Sequence, residues 1–506
     1  MSAITVVSRR IVAFSTFALL AFASRSVAQV EEVPGESPSD TELRKRLEPL
    51  IPTFRAALLG DNVESQRATL AVIADIPPAL AARTNLTGSL ATFLQKNHKD
   101  PEVMALAIRS FGRSVPAFGD AAMSKAVAAE MGKVLTRYVR SEHAFVRQAV
   151  AEAIGSAITN ATPSVWSATR AEHFVALSLQ TIPLLGIGIE DKSGATARRA
   201  LKDIQAISRN VTELFTYYTD PLGTEPGQKD GDVRFPPVAP VIQAVAGEIP
   251  KLATPLSNGD VETKTAAART LETLAVLRAK IIERQGPGAV KDSFAGSWPV
   301  LRPVLAERVK DQNASVRLAT TEALESLGDA IEARAFMREA TTDSIAFIRW
   351  AAARALGRSA PSIPDSKSAA PDVAALATLV NDTDQDVRTA ALVALAKYGA
   401  KAKAASAKIL VVANRGDVEP RVTAVKALGA IESDASATVP VLIESLKHND
   451  DRLRKAAATG LVRFGPEARE ALPELRRALQ SQDAELRLAA AEAILAIEKK
   501  ARLKDL

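Results

Sequence analysis

The sequence predicts an all-α fold, an α-solenoid in which antiparallel helix pairs stack side by side into a superhelix. Three observations carry this. Four segments repeat at intervals of 33 residues near the C-terminus, beginning at Asp384, Asp417, Asp450 and Asp483. Their apolar residues recur at the spacing of one helix face. The composition is 47% apolar but only 4% aromatic, which suits Ala- and Leu-rich helices packed closely on one another. A length of 506 residues would ordinarily make about three compact domains, but a fixed repeat period replaces them with a stack whose contacts lie mainly between neighbours.

Residues 1–28 read as a signal peptide. Arg9 and Arg10 form a basic start, the apolar run IVAFSTFALLAFA follows, and Ser26-Val27-Ala28 is a small-residue cleavage site. Ser8-Arg9-Arg10 partly resembles a twin-arginine signal, and general secretory export fits as well. Cleavage near Ala28 removes Arg9, Arg10 and Arg25 with no acid, so the formal charge falls from +6 to +3. That near-neutral balance excludes nucleic acid as an expected partner. The 13-residue apolar run is too short to span a bilayer, and no later segment is expected to reach that length without charges. The mature chain is therefore expected to be a soluble protein of the bacterial periplasm or exterior.

Residues 29–42 are polar, acidic and carry Pro34 and Gly35, the composition of a flexible linker. Residues 43–300 show helical periodicity with irregular insertions, and 301–506 show it regularly. Two interruptions stand out, Thr219–Pro240 and Glu283–Pro299, where Pro and Gly are too dense for helix. Each is either a connector or a loop projecting from one face.

The aligned columns give the packing. Counted from Arg388, Arg421, Arg454 and Arg487, position +3 is Ala391, Ala424, Ala457 and Ala490, and +6 is Ala394, Ala427, Gly460 and Ala493. Position +7 is Leu395, Leu428, Leu461 and Ile494, and +10 is Tyr398, Ile431, Phe464 and Ile497. Small residues admit a neighbouring helix, and the large ones fill the space between. A second stripe upstream holds Leu376, Ile409, Leu442 and Leu475, with Pro440 and Pro473 expected near helix starts. Asp384, Asp417, Asp450 and Asp483 read as N-caps or first-turn acids. An Arg in the same first turn opposes the helix dipole, so its recurrence implies a partner: the Asp or a turn carbonyl of an adjacent unit, forming a structural ladder.

These residues resemble the HEAT and HEAT-like repeats of the phycobilisome-lyase type. The matching signature is Asp384, Val387, Arg388, Ala390, Ala391, Ala394 and Leu395, with further matches around Arg349, Arg317, Arg147, Lys264 and Met104. The resemblance implies stacked helical hairpins and an extended binding surface.

The chemistry available is narrow. With no Cys there is no disulfide, thiolate site or thiol nucleophile. His98, His143, His173 and His448 have no metal-ligand spacing and read as surface or capping residues. No nucleophile elbow or phosphate-cradling loop is present, and no cofactor or metal is expected. Trp350, Trp298, Tyr217 and Tyr218 are the candidate protein-binding residues. The sequence thus points to a non-catalytic scaffold that binds a protein or peptide on its concave surface, as a free module or within an envelope assembly. The alternative is a lyase or chaperone-like enzyme of the HEAT-like type.

Overall fold

The computed structural model describes residues 38–76, 86–96, 98–116, 121–217, 236–285, 296–327, 333–415 and 417–504. Residues 1–28, expected as a signal peptide, most of the expected linker, Tyr218 and the greater part of both interruptions lie outside these residues. All regular structure among the described residues is helical. The first described helix, α1 (Pro38–Leu47), begins inside the segment expected as linker. Pro38 at the first helical position and acids in the opening turn suit a helix start, which corrects that boundary. Glu42 and Arg46 pair one turn apart at 3.1 Å.

The chain divides between Arg302 and Pro303 into two compact units. The first includes α2 (Val63–Asp75), α3 (Pro101–Ser114), α4 (Ala121–Thr136), α5 (Ala144–Ala161), α6 (Ala168–Ile189), α7 (Gly194–Tyr217) and α8 (Val261–Gln285). One row runs α3, α5, α7, α8 and a second row contains α4 against α6. Helix α6 is long and apolar enough to cross a membrane, although Arg170 and Glu172 stand near its start. Two thirds of its apolar window is buried inside the helix array, where core packing demands the same composition. His173, expected on the surface, lies wholly buried on this helix. Its two ring nitrogens are taken up by Ser124 Oγ (3.0 Å) and the Pro116 carbonyl (2.9 Å), and burial lowers its pKa. It is thus a satisfied core residue.

In the second unit the pairs are regular. The helices are α9 (Ala314–Leu327), α10 (Ala333–Ala340), α11 (Ala346–Ser359), α12 (Ser366–Leu379), α13 (Gln385–Tyr398) and α14 (Ser406–Arg415). They continue as α15 (Val418–Ala430), α16 (Ala435–Leu446), α17 (Asp451–Phe464), α18 (Leu472–Ala478) and α19 (Ala484–Lys504). Odd-numbered helices from α9 to α19 pack directly on one another, whereas even-numbered ones touch only lightly along their row. The odd-numbered helices thus form the more closely packed row. The +3 alanines and the inner leucines Leu395, Leu428 and Leu461 are all fully buried. Pro473 sits at a helix start, but Pro440 lies six residues into α16, because an Asp434 cap on Ser436 starts that helix earlier.

Close approach follows a column rule. A Cβ on Gly429 would stand 3.0 Å from Gly460 Cα, and one on Gly357 would stand 3.0 Å from Ala394 Cα. In the first unit a Cβ on Gly112 would run into the Ala153 backbone. In each case the eighth residue after the arginine column meets the sixth residue of the next repeat, so backbone lies against backbone.

Candidate protein-interaction surface

The arginine column organises the turns on one edge of the stack. Arg349 Nε and Nη2 donate to the two Asp382 oxygens at 2.7 and 2.6 Å, while Nη1 donates to the Asp343 and Ser344 carbonyls at 2.8 and 3.2 Å. Arg317 does the same to Asp343 (2.6 and 3.1 Å) and its own turn, and Arg147 to Asp191 (2.5 and 3.0 Å). These forked pairs are largely buried, the kind of contact guanidinium geometry suits. The Arg349 hydrogen bond holds the Asp382 carboxyl below its ordinary range and raises the pKa of Arg349 itself.

The partner differs from the one the sequence suggested. Asp384, Asp450 and Asp483 cap their own helices, accepting from backbone N–H groups two or three residues on. The acid that crosses to the preceding repeat stands six residues before the next arginine: Asp343 before Arg349 and Asp382 before Arg388. Only Arg388 meets the expected column, with Nη2 donating to Asp417 at 3.0 Å. At that −6 position the later repeats carry Arg415, His448 and Ser481, so no forked acceptor awaits. Accordingly Arg421 donates to the Ala413 carbonyl of its own repeat, Arg454 to the His448 carbonyl and Asp451, and Arg487 to the Ser481 and Gln482 carbonyls. Exposed pairs link those repeats instead: Arg452 with Glu419 at 2.7 Å, and Lys455 with Glu485. The acceptor column was readable in the sequence as Asp191, Asp343 and Asp382, but the helix-capping Asp is the more regular feature and masked it.

Trp350 is half-buried near the start of α11 and its ring meets two side chains of the same helix. Arg354 Cζ stands 4.2 Å above its ring, and the Phe347 ring stacks on it with centroids 5.0 Å apart. Arg354 is fixed in turn by Glu325 on α9 at 3.2 Å. Phe347 itself is 49% exposed. Ala346, Phe347 and Trp350 form one wall of an open groove whose other wall is Asp384 and Asp386 at the start of α13. Of the other aromatic candidates, Trp298 opens a helix (Trp298–Arg308) and Tyr217 closes α7, and the side chains of both lie outside the described residues.

Residues 301–396 and 407–496 match the family model for HEAT repeats. Over those residues the second unit is similar to HEAT repeats. Among solved structures, the crystal structure of an engineered protein covers 82% of this chain and 99% of its own, at 21% identity and a TM-score of 0.51. A second engineered protein covers 50% of this chain and 97% of its own, at 24% identity and a TM-score of 0.31. The first likeness is one of fold alone. No curated protein matches the sequence. HEAT-like repeats of this kind commonly serve as protein-interaction scaffolds.

Proposed function

We propose that this protein is an exported, non-catalytic scaffold that binds a protein or peptide on a concave surface lined by the odd-numbered helices of its second unit. The supporting observation is the Arg354–Trp350–Phe347 stack. A buried acid, an arginine and an indole are arranged to present a phenyl ring that the chain itself leaves half uncovered. Rigid aromatic groups beside a groove are what interface hot spots require. Export is supported by the leader sequence.

Two measurements test this. Affinity capture from envelope and cytoplasmic fractions should retain a partner on the wild-type chain and lose it on a Phe347→Ala, Trp350→Ala double variant with unchanged helicity. Equal capture by both would remove this face from consideration. N-terminal sequencing of the mature chain should begin at Gln29, and an intact leader on the active protein would overturn the export reading.

A further inference from the structure

The groove beside Trp350 has an electrostatic character as well as an aromatic one. In the column two residues before each arginine, the repeats carry Phe347, Asp386, Glu419, Arg452 and Glu485. Glu419 is neutralised by Arg452, and Glu485 by Lys455. Asp386 has no salt-bridge partner among the described residues, and neither has Asp384, whose Oδ1 is engaged only by the backbone N–H groups of Asp386 and Val387. The basic residues of this region are committed elsewhere: Arg349 to Asp382, Arg388 to Asp417, and Arg354 and Arg358 to Glu325. The groove therefore sets an exposed phenyl face opposite two carboxylates that make no direct ion pair among the described residues; Arg349 lies near enough to Asp384 to feel its charge but is forked onto Asp382.

We infer that this groove receives an arginine side chain of the bound protein or peptide, its guanidinium against Phe347 and its N–H groups on Asp386 and Asp384. The inference rests on the scaffold reading above. A planar guanidinium meets both walls at once, because it stacks on an aromatic face and forks onto carboxylates, whereas an ammonium offers a point charge. Asp386 is the variable to change, since Asp384 caps α13 and its loss would disturb the helix as well.

The test is to pan random displayed peptides on the full mature chain, resynthesise those that bind, and measure their affinities by fluorescence anisotropy. Peptides whose binding is lost on Trp350→Ala should share an arginine next to an apolar residue. Asp386→Lys, checked for unchanged helicity, should weaken them by about tenfold, since it replaces attraction by repulsion across a partly desolvated contact. Changing the peptide arginine to lysine should weaken them measurably less, and to glutamine as much as the charge reversal does. Trp350-dependent peptides that lack a basic residue, or that bind Asp386→Lys within twofold of wild type, would overturn the inference and leave the scaffold reading standing. If no bound peptide depends on Trp350, both fall.

Discussion

Asp203 offers a quantitative test of how the first unit is packed. It stands on α7 in the register where the arginine column is taken by Ala197, six residues on, a position that is Ala or Gly in most other repeats. Opposite it is Gly155 of α5, where an added Cβ would collide with the Asp203 and Arg199 side chains. The carboxylate is thereby forced into a seam built for a methyl group, only 4% exposed, with Arg199 Nε at 3.0 Å as its partner. Burial pushes its pKa from 3.8 up to about 7, against the lowering effects of Arg199 and Lys202 and with a small further rise from Glu152. The folded state therefore holds this proton more tightly than the unfolded chain does. Its contribution is most favourable below pH 3.8 and is lost as pH climbs through about 7. The slope between those limits is about 1.4 kcal/mol per pH unit, so the first unit should lose about 2 kcal/mol between pH 5 and 7. Asp203→Asn mimics the protonated form and should remove that slope while stabilising the unit at pH 8. Urea midpoints at pH 5, 6, 7 and 8, read by a probe within α5–α7, measure this. A variant with the same pH slope as the wild type would refute the argument.

Other perturbations follow from the same contacts. Arg349→Ala strips Asp382 of both charge-assisted bonds in a mostly buried site and should cost about 2–4 kcal/mol, whereas Arg454→Ala removes only local turn contacts and should cost about 0.5–1 kcal/mol. Parallel denaturation curves decide this, and equal losses would show that crossing to the next repeat adds nothing. Gly112→Ala forces α3 and α5 apart and should destabilise the first unit by about 2 kcal/mol, while Gly247→Ala, whose Cβ meets nothing within 4 Å, should be neutral or slightly stabilising. Tyr398→Phe deletes a buried hydroxyl that donates to Asp372 at 2.8 Å, and should cost about 1–2 kcal/mol by thermal denaturation. Asp372 keeps Arg334 and Arg338, both at 2.6 Å, so this loss should stay well below that of Arg334→Ala.

What the sequence made legible was whatever one helix decides by itself. The +3 and +7 columns, the helix-start position of each Asp and the pairing of helices all come from periodicity within a repeat. Contacts between repeats were harder, because they join columns of different offset. The Asp382 carboxylate serves Arg349 of the preceding repeat, while Arg388 of its own repeat meets only its backbone carbonyl, and Gly429 matters because of Gly460 in the next repeat. Single departures from the pattern were hardest. The burial of His173 follows from where α6 is packed, and the short-range sequence around it carries no sign of its partners Ser124 and Pro116. Trp350 was visible as a substitution in a column of Thr389, Val422, Lys455 and Leu488, but the Glu325–Arg354 clamp behind it lies in two different repeats.

The forked ion pairs and the groove belong to one arrangement. Phe347 precedes Arg349 by two residues, and Asp384 follows Asp382 by two, so the Arg349–Asp382 pair ties together the two segments that carry the groove's opposite walls. A groove between two helices separated only by side-chain packing would widen and narrow with every flexing of the stack. One crossed by a forked, mostly buried ion pair has a fixed width, and a fixed width is what a site needs if it is to select a flat cation by stacking and pairing together. The later repeats lack the −6 acid and are linked by exposed pairs instead, which screen readily and hold no such spacing. In the second unit the forked, buried pairs therefore fall at the groove and in the repeat before it. Loosening it through Arg349→Ala should weaken Trp350-dependent peptides although Arg349 is committed to Asp382 and lines no wall of the groove; unchanged affinity in that variant would show that groove width is set by helix packing alone.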